Sequence, residues 1–362
     1  MASTPRTGFS GGRTGEATPG AVAFLGSGET ASTGRRTHQW LFERLPRPVR
    51  VAILETPAGF ELNSAQVAGR IADFLRHRLQ NYHPQVSVVP ARRREDADDP
   101  EVARSLLQAH YLFLGPGSPT YAVRHLRDTR TWHTLVARHR LGATLCFASA
   151  AAIAVGAFAL PVYEVYKAGE DPHWRPGLDL LAPFGLRLVV VTHWNNREGG
   201  EHLDTSRCYM GRERMAYLLS LLPADVTVVG VDEHTALILD LAEETCWVLG
   251  SGGVTLVRQG EEATHPAGRT FPLGELGAFQ KPAAGEGVPP EVWEEAVGAQ
   301  PEEEPVPVEP LPEEVAAAIA QREEARRRRD FATADAIRQR LAERGYRITD
   351  TPDGPQWERV RP

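Results

Sequence analysis

The chain has 362 residues, of which 42% are hydrophobic and 24% are charged, a composition typical of globular proteins and a length sufficient for two domains. The formal net charge of −7 gives no general signal for binding to nucleic acids or membranes. No apolar run reaches the roughly 18 residues that a membrane span requires, and the first residues lack an apolar signal core. The three cysteines have no metal-binding spacing and cannot all pair, which indicates a reduced, cytoplasmic setting. We expect neither a metal nor another cofactor.

Four segments of different composition divide the chain. Residues 1–19 are rich in Gly, Ser, Thr and Pro, which predicts a disordered tail. In residues 20–279 short apolar strands alternate with amphipathic helices, which predicts an α/β domain with a doubly wound, mostly parallel sheet. Residues 280–312 are rich in Pro and Glu, which is typical of a semi-rigid extended linker. Residues 313–362 predict a small antiparallel helical hairpin followed by a short extended tail.

Polar or glycine-rich turns follow several of the predicted strands. The first strands, at residues 21–25, 49–54, 111–114 and 143–147, are followed by turns at residues 26–30, 56–59 and 115–118 and by Ser149. Because parallel strands end at the same edge of a sheet, we expect these turns to lie close together. The late strands, at residues 226–230, 236–239, 246–249 and 254–257, predict a meander at the edge of the sheet.

Ser149 stands where an apolar strand changes abruptly into an Ala-rich helix. Its small neighbours Ala148 and Ala150 suit the tight strand-to-helix turn of a nucleophile elbow, which exposes a serine hydroxyl. The N-terminal N–H groups of the following helix would stabilise an oxyanion there. The alternative is a structural N-cap serine on a buried helix, and this stretch alone leaves both interpretations open.

An imidazole, His193, follows the apolar strand predicted at residues 186–191. It lies downstream of Ser149 and of several carboxylates, an order compatible with a nucleophile, an orienting acid and a base. The turn at residues 232–235 also carries acidic groups and a histidine, but no second cluster completes a zinc site, so we predict a turn before an edge strand.

Residues 21–258 resemble the cyanophycinase and dipeptidase E family of serine peptidases, which share a class I glutamine-amidotransferase-like α/β fold. Four segments carry the resemblance, and they occur in the family's order. They are residues 113–118 (the Gly-rich turn), 148–150 (the serine elbow), 191–194 (the strand-end histidine) and 230–237 (a late strand with Asp-Glu-His-Thr-Ala-Leu).

This resemblance implies a catalytic role for several residues. Ser149 corresponds to the nucleophile and His193 to the general base. The acid lies shortly after the elbow helix, which implies Glu164, with Glu170 as the alternative. The backbone N–H groups of Gly117 and Ala150 would form the oxyanion hole, and the substrate would be a small or acidic peptide. The expected substrate pocket comprises Ser118, Trp194, Asn195, Asn196 and Arg197.

Some residues depart from the family pattern. Ala151 replaces the glycine that usually follows the Ser-Ala pair, and Pro116 removes a backbone donor from the Gly-rich turn. The loop at residues 194–204 is longer and more polar than usual, which leaves the substrate open. Glutamine amidotransfer is disfavoured, because it uses a cysteine at the elbow and Cys146 lies three residues before it.

Residues 313–357 resemble the C-terminal segment of cysteinyl-tRNA synthetases, on the segments 322–326, 330–338 and 345–357. The chain lacks the synthetase's His-Ile-Gly-His and Lys-Met-Ser-Lys-Ser signatures, so we expect no aminoacyl-tRNA synthetase activity. The basic run at residues 326–329 is either a solvated helix face or a contact for phosphates.

Two functions therefore remain. One is a serine hydrolase that carries a synthetase-type accessory hairpin. The other is a non-catalytic module, in which the pocket holds a small ligand and the hairpin docks on tRNA or a protein.

Overall fold

The computed structural model describes residues 18–299, 313–328, 330–351 and 354–359. The chain falls into two compact units, Met1–Glu303 and Glu304–Pro362. Most of the predicted tail, residues 1–17, and the second part of the predicted linker, residues 300–312, lie outside the described residues.

The first unit alternates strands and helices, as its sequence predicts. Its strands are β1 Val22–Leu25, β2 Arg50–Leu54, β3 Gln85–Val89, β4 Tyr111–Leu114, β5 Thr144–Ala148, β6 Phe158–Ala159, β7 Arg175–Pro176, β8 Leu188–Val191, β9 Thr227–Val231, β10 Thr235–Asp240, β11 Thr245–Gly250, β12 Gly253–Arg258, β13 Glu261–Pro266 and β14 Thr270–Pro272. Its helices are α1 Ser32–Phe42, α2 Ser64–Arg78, α3 Arg94–Ala97, α4 Pro100–Arg104, α5 Pro119–Leu126, α6 Arg130–Arg140, α7 Ala150–Ala154, α8 Val162–Tyr166, α9 Gly211–Ser220 and α10 Pro290–Gly298. Every helix within the described ranges is too short or too polar to span a bilayer.

Eight strands form the main sheet, in the order β14-β11-β10-β1-β5-β4-β2-β3. The five strands from β1 to β3 in this order run parallel, and β10, β11 and β14 extend the sheet in antiparallel fashion. The predicted fold class, a mostly parallel α/β sheet, is confirmed.

Helices cover both faces of this sheet. On one face Phe42 of α1 and Ile71 of α2 belong to the same buried cluster as Phe113 of β4. On the other face Leu135 of α6 packs in a cluster with Leu112, the neighbour of Phe113 along β4. Because successive strand residues point to opposite faces, each central strand is buried on both sides, which explains its continuous apolar sequence.

A second sheet contains four strands in the order β13-β12-β9-β8. β8 and β9 run parallel, whereas β12 pairs with both β9 and β13 in antiparallel fashion. The predicted edge meander is therefore wrong: β9 and β12 belong to this second sheet, while β10 and β11 join the main sheet beside β1. The chain crosses from one sheet to the other between β9 and β10, at residues 232–234.

The prediction of an extended linker is wrong for residues 280–299, because they include a helix that packs against the core. Val292 and Ala296 of α10 are buried in the main core, and Glu295 forms ion pairs with Arg104 and Arg130. Pro290 is the first residue of this helix rather than part of an extended chain, since proline fits the first turn of a helix.

The second unit consists of two helices and a β-hairpin: α11 Glu313–Arg327, α12 Phe331–Glu343, β15 Tyr346–Thr351 and β16 Gly354–Arg359. The predicted helical pair is confirmed, and Asp330 caps α12 by accepting a hydrogen bond from the Thr333 N–H at 3.1 Å. The buried cluster contains Val315, Ile337, Leu341, Tyr346 and Ile348. Phe331, the first residue of α12, lies outside this cluster and is 60% exposed.

Gly230 of β9 generates the first prediction. A Cβ at this position would lie 2.3 Å from Cδ2 of Trp194, so we expect Gly230→Ala to lower the free energy of unfolding by about 1–3 kcal/mol through overpacking. The measurement is chemical denaturation. Gly69 of α2 is a matched control, because a Cβ there meets no described atom within 4 Å, and Gly69→Ala should stabilise by about 0.5–1 kcal/mol. Equal losses in the two variants would contradict the close packing at Gly230.

Candidate active site

Ser149 occupies a strained turn between β5 and α7. Its backbone has φ 51° and ψ −115°, outside the regions that L residues favour. Its N–H donates to the Leu25 carbonyl at 3.0 Å, which ties the turn to β1. The neighbours Ala148 and Ala150 are buried, so the turn leaves no room for larger side chains. Within the described chain the Ser149 side chain does not cap α7, which argues against the N-cap interpretation.

His193 follows β8 and faces this serine. Its Nε2 lies 3.0 Å from Ser149 Oγ, within hydrogen-bond reach. The backbone of His193 also has a positive φ, of 51°. Its carbonyl accepts hydrogen bonds from the N–H groups of Asn196 and Cys208, which fix the position of this residue. Since β5 belongs to the main sheet and β8 to the second, the two side chains meet at the junction of the sheets.

The carboxylate beside His193 belongs to Glu233, in the crossover between β9 and β10. Its Oε1 lies 2.9 Å from His193 Nδ1 and accepts a hydrogen bond from Asn196 Nδ2, also at 2.9 Å. Burial raises the pKa of Glu233, but the hydrogen bonds from His193 and Asn196 outweigh it, so that the pKa lies below its ordinary value. The ionised carboxylate can only accept, so the proton of a neutral imidazole must be on Nδ1, and Nε2 is free to accept from Ser149.

Glu164 and Glu170 lie elsewhere than the resemblance implied. Glu164, on α8, accepts a hydrogen bond from Thr120 Oγ1 at 2.5 Å. Glu170 lies 3.5 Å from the guanidinium of Arg175. The acid was expected close to the elbow helix along the chain, whereas the fold brings a carboxylate from the crossover between the sheets. A sequence signal for Glu233 did exist, because it follows a predicted strand and therefore belongs to the same edge as Ser149 and His193.

Ser149 and His193 open into a cleft of about 210 Å³. Gly117 and Ala150, the residues expected to form an oxyanion hole, line the same cleft. Gly117 has φ 144°, and a Cβ there would lie 1.9 Å from the Pro57 carbonyl oxygen, so only glycine fits. The remaining lining residues are Pro119, Ile153, Val162, Tyr163, Tyr166, Lys167, Glu198, Cys208 and Tyr209.

Three of the expected pocket residues, Trp194, Asn195 and Asn196, contact the residues around His193 rather than the cleft. Asn196 is buried and bonds to Glu233, and Asn195 Oδ1 accepts a hydrogen bond from the Glu233 N–H at 2.8 Å. The Trp194 indole is buried, with the Arg207 guanidinium stacked over its ring at 3.7 Å. These residues hold the carboxylate and the histidine loop rather than line the cleft.

The other two expected pocket residues also differ from expectation. Ser118 is buried and caps α5 by accepting a hydrogen bond from the Tyr121 N–H. Arg197 is exposed, and the residue of this loop that lines the cleft is its neighbour Glu198. Glu198 and the cleft tyrosines are not predicted from the sequence, since nothing in their local pattern distinguishes them from surface residues.

The polar turns do lie together, as expected from the strand ends. The Ser118 N–H donates to the Pro57 carbonyl at 2.8 Å, which joins two of these turns. The His234 N–H donates to Ser27 Oγ at 3.1 Å, which joins the first Gly-rich turn to the crossover.

The two units of the chain are similar to different known proteins. Residues 309–357 match the family model described as the cysteinyl-tRNA ligase anticodon binding domain. Cysteine–tRNA ligases of Streptococcus pyogenes serotypes M3 and M6 are 55% identical to this chain over 51 residues, which is 14% of this chain and 11% of each ligase. The chain thus spans about a tenth of the length of these curated relatives.

A solved structure shares the fold of the first unit. The peptidase from an acI-B1 Actinobacterium matches over 71% of this chain and 98% of its own, with a TM-score of 0.57 and 22% sequence identity. At this identity the likeness shows a common fold. Both resemblances inferred from the sequence, to a peptidase fold and to the C-terminal segment of the ligase, are therefore confirmed.

The hydrogen bonds of Glu233 generate the second prediction. Asn196→Ala removes a donor to the charged carboxylate, so the pKa of Glu233 should rise towards its ordinary value. Because the folded-state pKa is lowered, this carboxylate contributes stability above its unfolded pKa and loses it as pH falls through the folded pKa. NMR titration of the Glu233 carboxyl carbon measures the midpoint, and Arg197→Gln, in the same loop, is the control. An unchanged midpoint in Asn196→Ala would contradict the role of that hydrogen bond.

Proposed function

We propose that the first unit is a serine hydrolase of the peptidase type. The observation that supports it is the line of contacts from Ser149 Oγ to His193 Nε2 at 3.0 Å and from His193 Nδ1 to Glu233 Oε1 at 2.9 Å. In this mechanism Ser149 attacks a substrate carbonyl while His193 takes its proton. The Glu233 carboxylate holds the imidazole in the required tautomer and stabilises the imidazolium that forms.

The remaining steps follow from the residues around the serine. The N–H groups of Gly117 and Ala150 would donate to the oxyanion of the tetrahedral intermediate, because both residues line the cleft beside Ser149. His193 then returns its proton to the leaving amine, which leaves an acyl group on Ser149. A water molecule, activated by the same imidazole, hydrolyses this ester and restores the free serine.

A short peptide with an acidic group is the substrate that we propose. The cleft of about 210 Å³ is small for a long chain. Lys167 lines it and is exposed, so its ammonium is available to a carboxylate of the substrate. Glu198 supplies a carboxylate for a free amino group, and Tyr163, Tyr166 and Tyr209 supply aromatic surface.

The three cysteines are free and buried, which supports a reducing, cytoplasmic setting.

A fluorophosphonate probe tests the hydrolase. The wild-type chain should be labelled, and Ser149→Ala should lose the label. Glu233→Gln should slow labelling by about 10⁴-fold, the loss typical of removing the acid from a catalytic triad. Glu170→Gln is the matched control and should label at the wild-type rate, because Glu170 pairs with Arg175 instead. Labelling that persists in Ser149→Ala would exclude Ser149 as the nucleophile.

We propose that the second unit contacts tRNA. The match of residues 309–357 to an anticodon binding domain supports this function. The side chains of Arg327 and Arg328, at the end of α11, are 74% and 73% exposed. Although both pair with Glu324, exposed ion pairs of this kind contribute little free energy, so these guanidinium groups remain available to phosphates.

A gel shift with bulk tRNA tests the nucleic-acid contact. Replacing Arg326, Arg327 and Arg328 by Ala in the full chain should weaken binding and reduce its dependence on salt, because fewer counterions are released. A charge-matched control replaces the exposed Arg35, Arg36 and Arg70 of the first unit by Ala. Equal weakening in the two variants would place the contact elsewhere, and no shift by the wild-type chain would exclude the proposed tRNA contact.

A further inference from the structure

A chain of hydrogen bonds runs from the Gly-rich turn to Glu164. The Tyr121 N–H donates to Ser118 Oγ at 3.2 Å, and Ser118 Oγ lies 3.0 Å from Thr120 Oγ1. Thr120 Oγ1 donates to Glu164 Oε1 at 2.5 Å. Each hydroxyl has one proton, so Ser118 donates to Thr120 and Thr120 donates to the carboxylate. The chain therefore has a single direction and ends on an anion, where hydrogen bonds are strongest.

This chain holds the turn that carries Gly117. Gly117 lines the cleft immediately before Ser118. On one side the Ser118 N–H donates to the Pro57 carbonyl at 2.8 Å. On the other side the Ser118 hydroxyl is connected through Thr120 to Glu164. The turn is thus fixed both by a backbone hydrogen bond and by a series of side-chain hydrogen bonds.

Glu164 also lies on a helix that forms part of the cleft wall. It lies on α8, whose residues Tyr163 and Tyr166, together with the following Lys167, line the cleft. Among the described residues its second oxygen, Oε2, is buried without a hydrogen-bond partner. Burial of Oε2 removes its hydrogen bonds to water, which costs free energy. The charge-assisted hydrogen bond between Oε1 and Thr120 offsets part of this cost. The Glu164 carboxylate therefore connects the turn of Gly117 to α8, the helix that carries Tyr163 and Tyr166 of the cleft.

We infer that Glu164 is a positioning residue for the reaction. Through Thr120 and Ser118 it holds the Gly117 N–H at the place where the oxyanion forms. The inference rests on the proposed hydrolase function. Donors of this kind act because they are fixed in advance, and a displacement of about 1 Å costs on the order of 10²-fold in rate.

Substitutions at Thr120 test the inference in the full-length protein. Thr120→Val keeps the shape of the side chain but breaks the chain of hydrogen bonds, and it should slow fluorophosphonate labelling of Ser149 by about 10- to 100-fold. Thr120→Ser restores the hydroxyl and should recover most of the rate. Glu164→Gln, whose amide oxygen can still accept, should lose less than Glu164→Ala. The melting temperature of each variant is measured in parallel, so that loss of the fold is recognised.

A double variant separates positioning from general destabilisation. If Thr120 and Glu164 act through one chain, Thr120→Val combined with Glu164→Ala should be no slower than the slower single variant. Losses that multiply, or a Thr120→Val variant that labels at the wild-type rate while Ser149 still reacts, would overturn the inference and leave the hydrolase standing. A wild-type chain that is not labelled at Ser149 would overturn the proposed function and the inference together.

Discussion

The contact between Ser149 and His193 is the constraint on which the rest of the site depends. The serine follows a strand of the main sheet, the histidine follows a strand of the second sheet, and Glu233 lies where the chain crosses between them. The partners in this line are 44 and 40 residues apart along the chain. The arrangement therefore exists only when both sheets are formed and packed against each other.

Small residues make this junction possible. Ala148 and Ala150 allow the tight turn at Ser149, and Gly230 leaves room for the Trp194 indole directly after His193. The strained backbone of the serine is held by the hydrogen bond from its own N–H to the Leu25 carbonyl and by the packing of its buried neighbours. Polar support comes from two directions: Asn196 bonds to Glu233 behind the histidine, and the chain through Thr120 ends on Glu164.

Sequence patterns predicted the central part of the fold because their signals are local. The apolar run that ends at Ser149 and the one that precedes His193 each indicated a buried strand followed by a functional turn. The same reasoning failed for α10, since the proline-rich composition of residues 280–312 predicts extended chain, whereas Pro290 begins a helix. It also failed for β9 and β12, because apolar strands of similar length and composition do not reveal which sheet they join.

By itself the sequence determined the alternation of strands and helices, the turn that presents Ser149 and the likeness of the C-terminal segment to a tRNA ligase domain. These features depend on residues that are neighbours along the chain, through apolar periodicity, turn chemistry and a continuous motif. Only the tertiary structure decided that Glu233 faces His193, that Glu164 bonds to Thr120 and that Glu198 lines the cleft. The physical reason is that hydrogen-bond partners and cleft walls are set by contacts between distant segments, and a carboxylate has the same local signature wherever the fold places it.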